Sequence, residues 1–426
     1  MKNTALLKNF AFMKNVALLF LLLVLSCTKE EPVDPDVTVP PVVPEPPVTP
    51  VENRTPCEDG MAGIYPCLGY DLLAQVSLAS FGSDAANDSW GWTDTQTRKE
   101  YVLMGLSDGT AFVDISDPEE PIILGKLATA TSPSSWRDIK VYENHAFIVS
   151  EAEGHGLQVF DLTRLRDVST PQNFNSDARL TDFGNAHNIW INESTGYAYV
   201  IGSGLFQGGP AFININDPKN PQLEGGYADD SYTHDAQIVN YNGPDPEYQG
   251  RELLFGSNSD GGVNNQIIIV DVTDKANPVK ISSITYSNGG YTHQGYLTED
   301  QRYFFLGDEL DELRYGSPTQ TRIFDLSSLS NPELHLNYFA EVNAIDHNGY
   351  IKGEEFYLAS YTAGLRVLDI SQVENKTIRE KGFFDTYPSN NSSDFNGVWN
   401  VYPFFESGVI VISDINSGLF LVKASE

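Results

Sequence analysis

An internal repeat constrains the fold of this chain more than any other feature of its sequence. After residue 70, a hydrophobic strand, a turn and a second strand that ends in Asp or Asn recur along the chain. The copies span residues 101–114, 146–161, 198–214, 253–271, 303–325 and 356–369, with a last copy at 409–422 that lacks the Asp. Repeats at intervals of roughly 45–60 residues indicate one supersecondary unit each, which is typical of repeat architectures.

Two more strands belong to each repeat. The Asp is followed by a turn such as Asp117-Pro118 or Asn277-Pro278, in which the side chain satisfies backbone donors and the proline presets the turn. A further strand follows the turn, as at 122–127, and another begins each unit, as at 188–192. Four antiparallel strands per unit describe a propeller blade, whereas the rungs of a β-solenoid are usually shorter.

The first and last repeats fit a closed ring. The seventh copy stops after its third strand, at Val422, while the segment 72–78 resembles the outer strand at 122–127 and precedes the first unit. We therefore predict an all-β fold, a seven-bladed β-propeller closed by an N-terminal strand that completes the last blade. Closure would leave no long exposed edge strand.

The charge balance argues against two classes of function. The chain has 26 Lys and Arg against 58 Asp and Glu, a net charge of −32. A nucleic-acid binder or a protein held flat on anionic lipid needs clustered basic residues, so we expect neither. With 41% hydrophobic residues the chain is too apolar to be disordered, and three Cys are too few for a disulfide-dense scaffold.

Residues 1–26 have the pattern of a signal peptide. A basic segment precedes an apolar run at 16–25, which is too short for a membrane-spanning helix of about 20 residues. Ser26 before Cys27 resembles a bacterial lipobox, which implies cleavage before Cys27 and lipidation of its thiol. Thr28-Lys29-Glu30-Glu31 places one Lys and two acids directly after the Cys, which looks like a tag for the outer face of the outer membrane. The alternative is a plain secretory signal with a chance Cys.

Residues 27–56 are predicted to be a lipid-anchored, semi-rigid tether. Proline fixes φ and removes backbone donors, so a proline-rich stretch is extended. Its prolines are Pro32, Pro35, Pro40, Pro41, Pro44, Pro46, Pro47 and Pro50. We assign the propeller to residues 57–426. Cys57 and Cys67 at its start most simply form a disulfide in an oxidising compartment, and a metal role is the alternative.

Histidines recur at one register of the repeat. The position at the start of the innermost strands reads Trp90, Trp136, His187, His234, His293, His347 and Phe395. Equivalent strand starts lie around one end of the central channel, so four histidines from neighbouring blades should meet there. His145, His155 and His335 fall outside this register, and we interpret them as surface or loop residues.

The loops between the second and third strands bring acids to the same end. The candidate metal or ligand residues are His187, His234, His293, His347, Asp235, Glu151, Asp308 and Glu309. Imidazole and carboxylate together suit a divalent metal, which is the cofactor that the sequence suggests. The acids should also raise the pKa of the histidines, which would favour a charged ring that holds an anion. Alternatively, the histidines only fix the spacing of the blades.

The densest acidic cluster is Asp308-Glu309-Leu310-Asp311-Glu312, on a predicted loop. It is interpreted as a solvated loop, with calcium binding as the alternative, although the regular spacing of an EF-hand is missing. The chain has no Gly-x-Ser-x-Gly elbow that would mark a nucleophile, and its glycine-rich pieces match no phosphate loop.

Distinctive motifs over about residues 57–424 resemble the choice-of-anchor B family. They include Pro66-Cys67, Gly91-Trp92, Phe112 to Pro118, Trp136 to Lys140, Gln158 to Leu162, His187-Asn188, Tyr232 to Gln237, Tyr291 to Gly295, Asp308 to Glu312 and Asp346 to Asn348. The strands that end in Val-Asp or Ile-Asp resemble the short repeat called LVIVD. The resemblance implies an exported propeller with a membrane anchor, here Cys27, and it brings no defined biochemical activity.

These observations predict an outer-membrane lipoprotein at the cell surface that works as a binding or interaction module. Its partner would be a protein, a glycan or a small molecule at the histidine end of the channel, and it would meet the membrane only through its lipid. The alternative is a metal-dependent exported enzyme that uses the same histidines. Propellers host both classes, so the fold alone does not decide between them.

Overall fold

Seven β-sheets follow one another around a ring in the computed structural model, which describes residues 54–260 and 263–426. Each sheet contains four antiparallel strands side by side, two of the sheets carry additional strands, and one end strand of each sheet is innermost. Successive innermost strands contact one another all the way round, and the first strand of the last sheet contacts that of the first sheet. The chain therefore folds as a seven-bladed β-propeller, as the repeat predicts.

The strands are numbered in chain order. Three strands precede the first complete blade: β1 (Met61–Ala62), β2 (Tyr65–Leu68) and β3 (Tyr70–Val76). The others are β4 (Ala86–Thr93), β5 (Glu100–Leu106), β6 (Gly109–Asp114), β7 (Ile122–Ala128), β8 (Arg137–Tyr142), β9 (His145–Ser150), β10 (Leu157–Asp161), β11 (Gln172–Phe174), β12 (Ala178–Leu180), β13 (Asn188–Asn192), β14 (Tyr197–Ile201), β15 (Ala211–Asn214), β16 (Gln222–Gly226), β17 (Thr233–Asn240), β18 (Glu252–Asp260), β19 (Val263–Asp271), β20 (Val279–Thr285), β21 (Thr292–Leu297), β22 (Tyr303–Asp308), β23 (Gln320–Asp325), β24 (Glu333–Phe339), β25 (Gly349–Lys352), β26 (Glu355–Ala359), β27 (Leu365–Asp369), β28 (Arg379–Phe384), β29 (Val398–Tyr402), β30 (Ile410–Asp414) and β31 (Gly418–Ala424).

Helices are short in the described part of the chain. The α-helices are α1 (Leu78–Phe81) and α2 (Asp311–Tyr315), and the 3-10 helices are Leu162–Leu165, Phe206–Gly208 and Val373–Asn375. None of the helices in the described residues is long and apolar enough to cross a membrane.

The seven blades begin with the innermost strands β4, β8, β13, β17, β21, β25 and β29. Two blades carry extra strands. The short strand β11 pairs in parallel with β7 of blade 1, and β2 pairs with β28 of blade 6, followed by β1. In blade 2, β12 takes the outermost place after β10.

Buried apolar side chains lie between neighbouring blades. Tyr199 and Phe212 of blade 3 pack against Ile238 and Leu254 of blade 4, and comparable clusters fill the other interfaces. A blade in a ring has a neighbour on each face, so its central strands are apolar on both faces, as in β5, where every residue is buried. Each sheet is thus stabilised mainly by the next, and the ring must close to bury them all.

The ring closes where the sequence predicts. The strand β3 pairs with β31, with Leu72 opposite Val422 and Val76 opposite Leu419, so the N-terminal strand completes blade 7. A disulfide joins Cys57 to Cys67 beside this seam. The backbone N–H of Cys57 donates to the Asp71 carboxylate at 2.8 Å, which attaches the disulfide loop to β3.

Several predictions made from the sequence fall on residues 1–53. The signal peptide, the lipidation site at Cys27 and the proline-rich stretch lie outside the described residues. The described chain begins at Arg54, whose side chain pairs with Asp71, and Thr55 forms a bridge with Leu72.

Candidate functional site

Four imidazoles from adjacent blades form a continuous row at one end of the channel. The ring centroids of His187 and His234 are 4.1 Å apart, those of His234 and His293 are 4.4 Å apart, and those of His293 and His347 are 4.3 Å apart. The sequence register predicts this meeting, and we refer to these four residues as the histidine row.

Register shifts in the strand pairing orient two of these histidine side chains. The pairing of β17 with β18 shifts between Thr233 and Asp235, and that of β21 with β22 shifts between Thr292 and Gly295. An extra residue at such a shift leaves the regular ladder and turns its side chain in a new direction. His234 and His293 occupy these shifted positions, at the entrance of the innermost strands.

Backbone hydrogen bonds fix the orientation of two imidazoles. The Nδ1–H of His234 donates to the carbonyl of His293 at 3.0 Å, and the Nδ1–H of His347 donates to the carbonyl of Trp399 at 2.5 Å. Both bonds cross from one blade to the next, so these histidines do fix blade spacing. Because Nδ1 carries the proton, Nε2 of each ring is left with its lone pair, which is the form that binds a metal.

Two carboxylates contact the histidine row. Glu151 Oε1 lies 2.6 Å from His187 Nδ1. Glu309 lies between two rings, with its oxygens 3.8 Å from His293 Nε2 and 3.6 Å from His347 Nε2. The Tyr361 hydroxyl donates to Glu309 at 2.9 Å. The donor atoms of His293, Glu309 and His347 all lie within 4.8 Å of one another, a spacing that allows one ion to contact all three.

The predicted charge on the row is wrong for three of the histidines. Burial lowers the pKa of His234 and His293 well below the usual range, and neighbouring imidazoles lower it further. Burial lowers the pKa of His347 to about 3. Desolvation of the charged form is the largest effect on all three, so these rings are neutral at pH 7 and do not form a charged anion site.

Burial shifts the pKa of the Glu309 carboxyl in the opposite direction. Burial raises the pKa of its carboxyl to about 7, against the stabilising hydrogen bond from Tyr361. Two neutral imidazoles and one desolvated carboxylate lack a positive charge among them. The donor set therefore fits a divalent transition metal, which would supply that charge and accept nitrogen and oxygen ligands.

A second layer of polar side chains lies deeper in the channel and connects neighbouring blades. Asn188 donates to Asp235 at 2.7 Å, Gln294 accepts from the Gly349 N–H at 3.0 Å, and Asn348 donates to Asn400 at 3.3 Å. Asp235 therefore belongs to this layer and not to the group around Glu309. Burial raises its pKa to about 7.

A buried lysine neutralises part of this layer. Lys140 Nζ lies 2.6 Å from Asp138 and 3.8 Å from Asp88, and all three residues are buried. The histidine row and the polar layer enclose a cavity of about 20 Å³, lined also by Arg137 and Trp399. That volume holds about one water-sized species, which excludes a large ligand from this part of the channel.

Asp308 is placed away from the histidine row. Its carboxylate accepts from the backbone N–H groups of Gly290 at 2.9 Å and Tyr291 at 2.6 Å, and from the Tyr286 hydroxyl at 2.7 Å. It fixes a loop and has no direct contact with the four histidines. The predicted solvated loop at 308–312 is also wrong in part, because Asp308, Asp311 and Glu312 are buried.

The register predicted for the remaining blades needs correction. Trp90 lies within β4 and lines a cavity with Lys140 and Tyr402, not with the histidines. Phe395 is 45% exposed and contacts Tyr361, whereas Trp399 packs against His347 at 4.8 Å. Trp136 does line the histidine end, next to Arg137, which occupies the strand start in blade 2.

The histidines outside the register differ from one another. His145 and His335 lie in β9 and β24 and are partly exposed. His155 is a loop residue, as predicted, but it is fully buried and its Nε2 lies 3.1 Å from Arg137 Nη1. Burial and the adjacent guanidinium lower its pKa to about 4.

Sequence reasoning missed three tyrosines at this end of the channel. Tyr291 packs edge-on against His234 with centroids 5.0 Å apart, Tyr232 lies beside the same ring, and Tyr361 contacts both His347 and Glu309. A signal for two of them exists, because Tyr-Thr-His occurs at both 232–234 and 291–293.

The opposite end of the channel is aromatic. A cavity of about 250 Å³ is lined by Trp90, Lys140, Val141, Trp190, Ile191, Glu193, Tyr296, Tyr402 and Phe404. Trp90 and Tyr402 meet edge to face at 5.1 Å, and Lys140 Nζ lies 4.4 Å above the Trp90 ring. The two ends therefore share Lys140 and the polar layer but differ in chemistry.

Fold and site together define a β-propeller with a polar, histidine-rich channel end. The family model of the LVIVD repeat matches residues 261–285, which include the third and fourth strands of blade 4, β19 and β20. The chain is thus a β-propeller with a match to the LVIVD repeat in one blade, and its resemblance to that repeat is supported there. A comparison with curated protein sequences finds no match.

Solved structures with this architecture are distant in sequence. Hydrazine synthase from Kuenenia stuttgartiensis superimposes with a TM-score of 0.54 at 12% identity, over 76% of this chain and 93% of that one. A functionally unknown protein from Desulfotomaculum acetoxidans superimposes with a TM-score of 0.50 at 11% identity, over 73% of this chain and 88% of that one. At such identities the likeness shows the fold alone.

Proposed function

We propose that this protein is an exported, surface-tethered β-propeller lipoprotein that works as a binding module, and that the histidine end of its channel binds one divalent transition metal. A propeller with an LVIVD repeat suggests a binding or interaction module. The observation that carries the metal assignment is the convergence of His293, His347 and Glu309 within 4.8 Å.

The protonation of the donors supports this assignment. Metal binding requires neutral imidazoles and an ionised carboxylate. The pKa of His347, lowered to about 3, keeps its ring unprotonated over the physiological range, and that of His293 is lowered in the same direction. A first-row ion such as Zn²⁺ suits two imidazoles and a carboxylate, whereas a purely oxygen-seeking ion does not.

Metal analysis of the purified full chain tests the proposal. The chain would be stripped with a chelator, offered Zn²⁺, dialysed and analysed for metal and protein. We expect about one tightly bound Zn²⁺ per chain, because the three donors can reach a common point at about 2.0–2.2 Å. The His293→Ala/His347→Ala variant should lose it.

A matched double variant controls for the loss of two histidines as such. His145→Ala/His335→Ala removes two partly exposed imidazoles from β9 and β24 and should retain the metal. Absence of bound metal in the wild-type chain after reconstitution, or equal retention in the His293/His347 variant, would contradict the proposal.

Export and tethering are proposed from residues outside the described structure and from the disulfide. The apolar run and Cys27 have the pattern of a lipoprotein signal. The bond between Cys57 and Cys67 supports an oxidising compartment, because cytosolic thiols are normally kept reduced.

Fractionation of cells that express Cys27→Ser tests the tether. The variant lacks the thiol that would be acylated, so we expect it to leave the membrane fraction, whereas Cys57→Ser should remain bound there. Membrane-bound, acylated Cys27→Ser protein would refute the lipoprotein assignment.

A metal-dependent exported enzyme is the second candidate function. It is favoured by the number of donors, because three protein ligands leave at least one coordination position open on a four-coordinate ion. The candidate residues are His187, His234, His293 and His347. Turnover of small ester or phosphoester substrates by the Zn²⁺-loaded chain, abolished in His293→Ala/His347→Ala, would favour it. A metal-loaded chain without turnover would favour the binding module.

A further inference from the structure

A second cluster of acids lies beside the histidine site in the sequence and in the fold. Asp311 and Glu312 stand at the start of α2, and Asp346 directly precedes His347. Their carboxylate oxygens lie within 4.8 Å of one another. The three residues are 1%, 2% and 0% exposed, so the cluster is not an ordinary patch of surface acids.

Two of these carboxyl groups have no hydrogen-bond donor from another part of the described chain. Both oxygens of Asp346 lack a donor, and Glu312 meets only the carboxyl of the adjacent Asp311. Asp311 lies 2.8 Å from the Nη1 of Arg322, which is also buried. A buried carboxylate without a hydrogen bond or counter-ion is costly, so natural proteins rarely leave one in that state.

The groups next to the cluster do not neutralise its negative charge. Asp308 adds a further carboxylate, and its own oxygens already accept from Gly290, Tyr291 and Tyr286. Arg322 supplies one positive charge against the three carboxylates of the cluster. A divalent cation would balance the excess.

The backbone leaves room for Asp346. A Cβ added at Gly307 would lie 2.8 Å from Asp346 Oδ2, which is closer than real side chains approach. Glycine at this position of β22 therefore allows the carboxylate to enter the cluster. The Asp346 oxygens are held between blades 5 and 6, next to α2.

We propose that Asp311, Glu312 and Asp346 form a second metal site, distinct from the histidine site, which takes a hard divalent cation of the Ca²⁺ class. All of its donors are carboxylate oxygens, which such ions prefer to imidazole, and each carboxylate can bind with one oxygen or with both. Asp346 adjoins His347, and Asp311 follows Glu309 by two residues, so a bound cation would also hold the two segments that carry these two donors of the histidine site.

Calcium binding to the chelator-treated full chain tests this site. Isothermal titration with Ca²⁺ should give one site per chain, and Ca²⁺ should raise the melting temperature. Glu312→Gln and Asp346→Asn keep the side-chain shape but remove a ligand charge, and each should weaken binding at least about ten-fold. The exposed Glu153→Gln at the same end of the channel is the matched control and should bind as the wild type does.

Two further measurements distinguish the loss of a ligand from misfolding of a variant. Without Ca²⁺, Glu312→Gln should melt at a higher temperature than the wild type, because it removes one of three acids that crowd a buried cluster, while Ca²⁺ should no longer raise its melting temperature. Mn²⁺ offered to the wild-type chain should give a bound-ion electron paramagnetic resonance signal that Ca²⁺ displaces.

The outcome separates this site from the histidine site. His293→Ala/His347→Ala should keep its Ca²⁺ even if it loses Zn²⁺. No binding of Ca²⁺ or Mn²⁺ by the wild-type chain at millimolar concentration would overturn the inference and leave protons shared among the carboxyls as the explanation. Equal Ca²⁺ binding by Asp346→Asn and the wild type would overturn it as well.

Discussion

The two ends of the central channel are built on the same strands but offer opposite chemistry. The histidine end has neutral imidazoles, buried carboxylates and a cavity of about 20 Å³. The aromatic end has indole and phenol rings around a cavity of about 250 Å³. The difference shows that the chemistry of this channel changes with depth. Side chains at the starts of the innermost strands are imidazoles and acids, and those further along the same strands are aromatic rings.

The polar layer between the two ends keeps them distinct. Lys140 pairs with Asp138 and Asp88 on one side and packs over the Trp90 ring on the other. It is therefore the residue on which both ends depend. The predictions below begin with this shared layer and move outward to each end.

Replacing Lys140 by Met should have the largest effect. The change leaves Asp88 and Asp138 buried without their positive charge, which should lower the free energy of unfolding by about 3–5 kcal/mol. Chemical denaturation measures it. Lys126→Met is the control, because the pair of Lys126 with Asp108 is partly solvated and should be worth about 0–1 kcal/mol. Equal losses in the two variants would contradict a special role for the buried lysine.

Replacing Trp90 by Leu should disturb the aromatic end alone. The variant loses ring contacts with Tyr350 and Tyr402 and the cation–π contact with Lys140, so we expect a loss of about 2–3 kcal/mol in unfolding free energy. Zn²⁺ content should stay as in the wild type. If metal binding fell together with stability, the two ends would not be independent.

The free energy of unfolding should fall at acid pH because His155 is buried as a neutral ring. Its pKa is about 4 in the folded chain and about 6.5 when unfolded, so the unfolded chain binds more protons between these values. The stabilising contribution of the neutral ring is thus present above pH 6.5 and is lost as the pH falls towards 4. The loss should reach roughly 3 kcal/mol at pH 4.

Melting curves of the wild type and His155→Gln between pH 7 and pH 4 test this dependence. The variant should show a smaller fall in stability over that window. Asp235 and Glu309 have pKa values raised to about 7, so they make the folded chain more stable as the pH falls. Both proteins contain these two acids, so their contribution cancels when the two curves are compared. Parallel curves would show that His155 is not buried in its neutral form.

The smallest change predicted is Tyr361→Phe. It removes the hydroxyl that donates to Glu309 at 2.9 Å and leaves the ring in place. Loss of such an outer hydrogen bond should weaken Zn²⁺ binding about ten-fold without loss of the site. Competition with a chelator dye measures the affinity. Tyr315→Phe, on an exposed ring, should leave it unchanged.

The fold could be predicted from the sequence because the same strand pattern occurs in each copy of the repeat. Each copy shows the same strands and turn, and Leu72 to Leu78 could be matched to an outer strand by its pattern alone. The four histidines were placed correctly because, in blades 3 to 6, each lies within two residues of the start of its innermost strand.

The rest of the site depends on features that a repeat does not show. In blades 1 and 7 another aromatic residue stands near the strand start, so Trp90 and Phe395 were chosen where the strand geometry places other residues. The charge state of the histidines follows from burial, which no local pattern reveals. The cluster of Asp311, Glu312 and Asp346 joins the start of α2 to the loop before β25, and only the packing of blades 5 and 6 brings them together.

The most direct test of the central claim is the position of the metal itself. Crystals of the full chain grown with Zn²⁺ would be measured on both sides of the zinc absorption edge. We predict one strong anomalous peak at about 2.0–2.2 Å from the Nε2 atoms of His293 and His347 and from a Glu309 oxygen. A peak only at surface acids, or none at the histidine row after reconstitution, would contradict the claim and leave these histidines with the task of holding the blades together.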